Sequence, residues 1–120
     1  MSTSARCILC DARDGAVPAA LIYKHDLVFA IDVPPDSQSY IGPVHFLVIP
    51  TDHFPSVVHV TDDDGALCSR LLTVAANLSR DKNIADSGFR LVANTGPDAN
   101  QTVSHFHVHC IGGRRLRDDC

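Results

Sequence analysis

The chain has 120 residues, 45% hydrophobic and 20% charged, which suits one domain around one core. A formal net charge of -4 argues against a broad basic footprint for nucleic acid. No stretch approaches the roughly 20 apolar residues of a membrane span.

The polar start MSTSARC has no apolar core, so it does not read as a secretory signal. The count of 5 cysteines is odd. Together these point to a reducing, cytoplasmic setting with thiols kept free or metal-bound. The chain reads as a single domain over 1–120, with 1–6 and 114–120 as flexible tails. In GRRLRDDC the acids offset the clustered basic residues, which reads as a solvated terminus.

In chain order, LIYK (21–24) and LVFAIDV (27–33) are rich in β-branched and aromatic residues and predict a hairpin. PPDSQSYIGP (34–43) predicts a loop. VHFLVIP (44–50) predicts a third, largely buried strand. Thr61 followed by Asp62, Asp63 and Asp64 predicts a helix start, because side-chain oxygens cap free N–H groups and acids suit the positive helix end. Leu67, Leu71, Val74, Ala75 and Leu78 then make one core-facing stripe, ending near Asn83. GFRLVAN (88–94) predicts a fourth strand, TGPDANQ (95–101) a loop, and VSHFHVHCI (103–111) a fifth strand. The class is α+β, an antiparallel sheet with one long helix.

Strict alternation in the fifth strand puts His105, His107 and His109 on one face and Phe106, Val108 and Cys110 on the other. One histidine on a strand face is usually structural; three together are not. A single metal held by all three fails on geometry. At about 3.3 Å per residue, the outer two Cα atoms lie roughly 13 Å apart, so at least one histidine is free for other work. Cys7 and Cys10 form a C-x-x-C knuckle able to share one tetrahedral zinc. Its remaining ligands lie among His25, His45, His53, His59 and one member of the triplet. Imidazole is a nucleophile near pH 7 and a good leaving group from phosphorus. The preceding loop offers Asn94, Thr102 and backbone N–H groups to hold phosphoryl oxygens.

QTVSHFHVHCIGG resembles the motif of the histidine-triad (HIT) nucleotide-binding hydrolases, alternating histidines and apolar residues. CILC with DGAVPAALIYKHD, HFLVIPTDH and LVANTGPDANQTVSH extend the resemblance over about residues 7–113, closest to the Hint-like branch. The resemblance implies a five-stranded antiparallel sheet with a long and a short helix, the sheet extended across a homodimer. It implies that His107 attacks the α-phosphorus of a nucleoside phosphoramidate or related ester, with His109 bonding the phosphate or leaving group. It carries nucleotide-binding roles onto Asp32 (ribose), His45, Asn94, Asn100 and Thr102, and a structural zinc onto Cys7, Cys10, His53 and His105. No organic cofactor is implied, and the partner is a purine nucleotide such as an AMP conjugate.

Some positions depart from the pattern. Asn100 stands where the family usually has glycine, Ala30 replaces an aromatic residue, Ser104 replaces an aromatic or apolar one, and the 33–43 loop is long. The alternative function is a purine nucleotide-binding interaction module with weak or vestigial catalysis. A zinc that activates water is disfavoured, because a Cys2His2 set leaves no open position.

Overall fold

The computed structural model describes residues 7–34 and 42–118. The segments 1–6, 35–41 and 119–120 lie outside the described residues, and with them one expected tail, the end of the other and most of the 33–43 loop. The elements are α1 (Ile8–Asp14), β1 (Ala20–Lys24), β2 (Val28–Asp32), β3 (Val44–Pro50), α2 (Gly65–Asp81), β4 (Phe89–Val92) and β5 (Val108–Gly112). The strands form one five-stranded sheet in the order β1-β2-β3-β5-β4, every neighbouring pair antiparallel. No helix among the described residues is long and apolar enough to cross a membrane.

Each face of the sheet has its own cover. The residues of the long helix predicted to face the core, Leu67, Leu71, Val74, Ala75 and Leu78, are all buried. They pack on Val28, Ala30, Phe46, Val48, Phe106 and Cys110. The opposite face buries Phe29, Leu47 and Ile49 under Leu9 of α1. β3 runs between both layers, which is why it reads as an unbroken apolar run. The start of α2 carries the expected cap: Thr61 and Asp64 form a capping box, leading through a short 3-10 turn into the helix. Its end turns at Asn83, whose φ of 61° is left-handed, a conformation that asparagine tolerates.

α1 has a local cause that matters for function. The Cys7 thiol accepts the Cys10 N–H at 3.3 Å and caps the first turn. The C-x-x-C knuckle is therefore the opening turn of a helix, and both sulfurs lie at its N-terminal end.

The fifth strand is shorter than expected. Alternation predicts it over 103–111, but the ladder begins only at Val108, opposite Val48 of β3. Two features end it. Pro50 of β3 has no N–H to give, and its carbonyl instead accepts from the His105 ring at 2.9 Å. The Phe106 N–H turns away to Phe54 O at 2.6 Å. His105 and His107 therefore stand on the irregular approach to the strand, and only His109 lies within it. Beyond the sheet, Arg90 Nη1 donates to Arg117 O at 2.7 Å, so a residue of the expected C-terminal tail contacts the edge strand.

Candidate metal centre and active site

The irregular approach separates the three histidines. His105 is fully buried and joins Cys7, Cys10 and His53, whose donor atoms with its own all lie within 4.8 Å of one another. His105 Nδ1 is 3.3 Å from Cys7 Sγ and 3.4 Å from Cys10 Sγ. His53 Nδ1 is 3.4 Å from Cys10 Sγ and 3.1 Å from His105 Nδ1. A tetrahedral zinc with its usual bond lengths holds sulfur and nitrogen donors about 3.4–3.6 Å apart, so these four contacts lie within a few tenths of an ångström of such an ion, and only the wider donor separations, up to 4.8 Å, would have to close. The orientation fits as well. A carbonyl oxygen can only accept, so the bond to Pro50 O fixes the proton of His105 on Nε2 and leaves Nδ1 as a lone pair facing the sulfurs.

Burial lowers His105 to about 4, which the Pro50 carbonyl only partly opposes. Its ring is thus neutral and ready to ligate. Burial, reinforced by Cys7, pushes the Cys10 thiol up to about 11. A cation among the sulfurs would reverse that by stabilising the thiolate. The four donors can hold one metal ion.

His107 bonds differently. Its Nδ1 lies 2.6 Å from the His105 carbonyl oxygen, so Nδ1 carries the proton and Nε2 is the free lone pair. The His107 and His109 rings are 5.0 Å apart and nearly edge-on. His109 Nδ1 in turn meets His45 Nε2 at 2.9 Å. The other nitrogen of His45, Nδ1, is buried and finds no partner among the described residues. An orphaned buried N–H is rarer than an under-used acceptor. This assigns the His45 proton to Nε2, where it donates to His109, and leaves His109 with its own N–H on Nε2. Burial, then the neighbouring His107 and His45, lowers His109 to about 4; burial lowers His45 too. The result is a neutral donor ring beside the uncommitted Nε2 of half-buried His107.

The residues expected to bind nucleotide are less tightly gathered. Asp32 and His45 line one cavity of ≈ 380 Å³ with Val33, Val44 and Lys82. Asp32 pairs across the sheet with Phe46, on the α2 side, and its Oδ1 is held by Lys82 Nζ at 2.9 Å. Asn94, Asn100 and Thr102 stand on the loop leading to the histidines; Asn94 is half-buried and the other two are exposed. Asn100, at the expected glycine position, adopts φ 60° and ψ 38°, the left-handed conformation that glycine would supply.

Two residues escaped the sequence reading. Lys82 caps α2, and a cation there reads as an ordinary partner for the helix dipole. Gln101 reads as loop filler. Yet its side chain accepts from Gly96 N at 2.9 Å and donates to Pro55 O at 2.7 Å and Val103 O at 3.0 Å. No local pattern announces either contact.

Residues 6–116 match the family model described as scavenger mRNA decapping enzyme C-term binding. An uncharacterized HIT-like protein of Synechocystis is 42% identical over 99 residues, 82% of each chain. The purine nucleoside phosphoramidase of Escherichia coli K12 is 37% identical over 101 residues, covering 83% of this chain and 81% of that one. Among solved structures, a HIT family hydrolase from Legionella pneumophila superposes with a TM-score of 0.86 at 30% identity, covering 94% of this chain and 97% of its own. The chain belongs to the histidine-triad family. The hydrolase names among these relatives support hydrolase chemistry at this site.

Proposed function

We propose that the protein cleaves nucleoside 5′-phosphoramidates or related nucleotidyl esters through a covalent intermediate on His107. The observation that carries this reading is the 2.6 Å bond from His107 Nδ1–H to the His105 carbonyl, which leaves Nε2 as the nucleophile. In the first step Nε2 forms a bond to phosphorus as the P–N bond breaks. The amine leaves with the bonding pair and takes a proton from solvent, while the neutral His109 Nε2–H hydrogen-bonds the charge developing on the leaving nitrogen or phosphoryl oxygen. Water then displaces the imidazole from phosphorus. The proton of that water returns to solvent, and nucleoside monophosphate and free His107 result. Asp32, His45, Asn94, Asn100 and Thr102 are the residues assigned to nucleotide binding, with a purine nucleotide such as an AMP conjugate as substrate.

The same reading makes the Cys7, Cys10, His53 and His105 quartet a closed structural zinc site. It also makes the protein a homodimer, joined so that the sheet continues across both subunits. β4 supports this, because it stands at the sheet edge among the described strands, and the backbone groups along an edge strand favour pairing. Sedimentation at micromolar concentration should give twice the 13.0 kDa chain mass.

The deciding experiment is mass spectrometry of the intact protein after brief mixing with an adenosine phosphoramidate. A nucleotidyl adduct is expected on the wild type and none on His107→Ala. An interaction module that only binds the nucleotide would form no adduct in either.

A further inference from the structure

We propose that Gln101 is a positioning residue that ties the loop before the histidines to the metal centre, so that filling the quartet orders the loop. The loop from Gly96 to Gln101 is a closed unit. Gln101 N–H donates to Gly96 O at 3.1 Å, and Gly96 N–H donates back to Gln101 Oε1 at 2.9 Å. Two left-handed residues, Gly96 at φ 78° and Asn100 at φ 60°, bend it between these bonds. No strand ladder holds this segment, so its position depends on what anchors it.

The anchors are two carbonyls. The Gln101 amide donates to Pro55 O at 2.7 Å and to Val103 O at 3.0 Å. A side-chain amide has two N–H donors, and both are engaged inside the protein. Pro55 lies two residues after His53, and Val103 lies two residues before His105. One carboxamide therefore bridges the two segments that bring the histidine donors to the quartet. A second link joins the same segments, from Phe106 N–H to Phe54 O at 2.6 Å. An ion drawing His53 and His105 to Cys7 and Cys10 would fix the spacing of these segments, and Gln101 would pass that order to the loop.

The loop's role in holding phosphate rests on the proposed hydrolysis, whereas the coupling rests only on the proposed zinc site. A polar residue here would otherwise be taken as a substrate contact, and the two roles separate in a measurement made without substrate. Wild type, Gln101→Glu and Gln101→Met would be loaded with zinc, and zinc loss followed after adding excess chelator. Gln101→Glu keeps the acceptor for Gly96 but opposes a carboxylate to two carbonyls; Gln101→Met removes every bond at similar size. Zinc loss about tenfold faster than wild type is expected in both, the lower end of what outer-shell changes cost a metal site. In wild type, removing zinc should speed amide exchange across 94–102 more than across β1.

If both variants fold and release zinc within about twofold of wild type, the coupling is wrong. It is equally wrong if wild type takes up no zinc, or if exchange across 94–102 ignores the metal. Should both variants fail to fold, wild-type exchange alone decides. Lost phosphoramidate turnover with wild-type zinc retention would assign Gln101 to the substrate and overturn the proposal. Faster zinc loss in the variants, with no turnover even in wild type, would support the coupling while rejecting the hydrolase reading.

Discussion

His105 and His107 are two residues apart, of one type and in one motif, yet their rings have opposite protonation. His105 gives its Nε2 proton to Pro50 O and presents Nδ1 to two sulfurs. His107 gives its Nδ1 proton to His105 O and presents Nε2. Each ring's free nitrogen is chosen by the carbonyl that takes the other one. His105 also links the two sites, since its ring enters the quartet while its carbonyl orients His107, the proposed nucleophile. A change at the metal centre can therefore reach the chemistry through one residue's backbone.

That contrast breaks most completely at His107. His107→Ala should abolish the nucleotidyl adduct and reduce turnover on the order of 10⁴-fold or more, as loss of a nucleophile does. Zinc content should not change, because His107 is outside the quartet. Intact-mass spectra and metal analysis on one sample check both halves.

The opposite change is Cys7→Ala with Cys10→Ala. About one zinc per chain is expected in wild type and none in the double variant. The thermal midpoint should fall sharply, because metal binding to a closed site contributes directly to folding. Unchanged zinc content would remove the quartet from the account.

His45→Ala tests the tautomer assigned to His109. Removing the donor to His109 Nδ1 should lower kcat about tenfold, the scale of one buried hydrogen bond, in addition to any rise in KM from its assigned place in nucleotide binding. A rise in KM with kcat unchanged would leave His45 with the binding role alone and remove the tautomer assignment.

A smaller effect appears in pH dependence. His109 is lowered from 6.5 to about 4, mainly by burial, and His45 is lowered for the same reason. As pH falls below 6.5 the unfolded chain takes up these protons before the folded one. The stability they contribute is complete above 6.5 and drains away toward about 4. His109→Gln should flatten this part of the urea-midpoint profile relative to wild type, both measured with zinc present.

The smallest change is Asn100→Gly. The backbone there is already left-handed at φ 60°, so stability should move by less than about 1 kcal/mol. A large fall in the urea midpoint would mean that the Asn100 side chain holds the loop.

How much could be read in advance followed the range of the interactions. β3 was legible to its ends, because seven residues from Val44 to Pro50 bury both faces and leave an unbroken apolar run. The α2 stripe was legible because helical spacing repeats within a few residues. The β5 boundary was not: alternation continues through SHFHVH, and only the bonds of Pro50 O to His105 and of Phe54 O to Phe106 stop the ladder. The quartet was half legible. C-x-x-C is a local signal, whereas the choice of His53 and His105 came from family resemblance and was out of reach of spacing.

By itself, then, the sequence determined the five strands, the long helix, the burial of β3 on both faces and the presence of a thiol pair and a histidine run. These follow from periodicity and residue chemistry over neighbouring positions. Only the tertiary structure decided which nitrogen each histidine presents, that Lys82 holds Asp32, and that Gln101 spans the segments after His53 and before His105. Those choices depend on hydrogen-bond partners such as Pro50 for His105 and His45 for His109, separated by 55 and 64 positions. A ring or an amide has several equivalent ways to bond, and nothing local selects among them until the chain has closed.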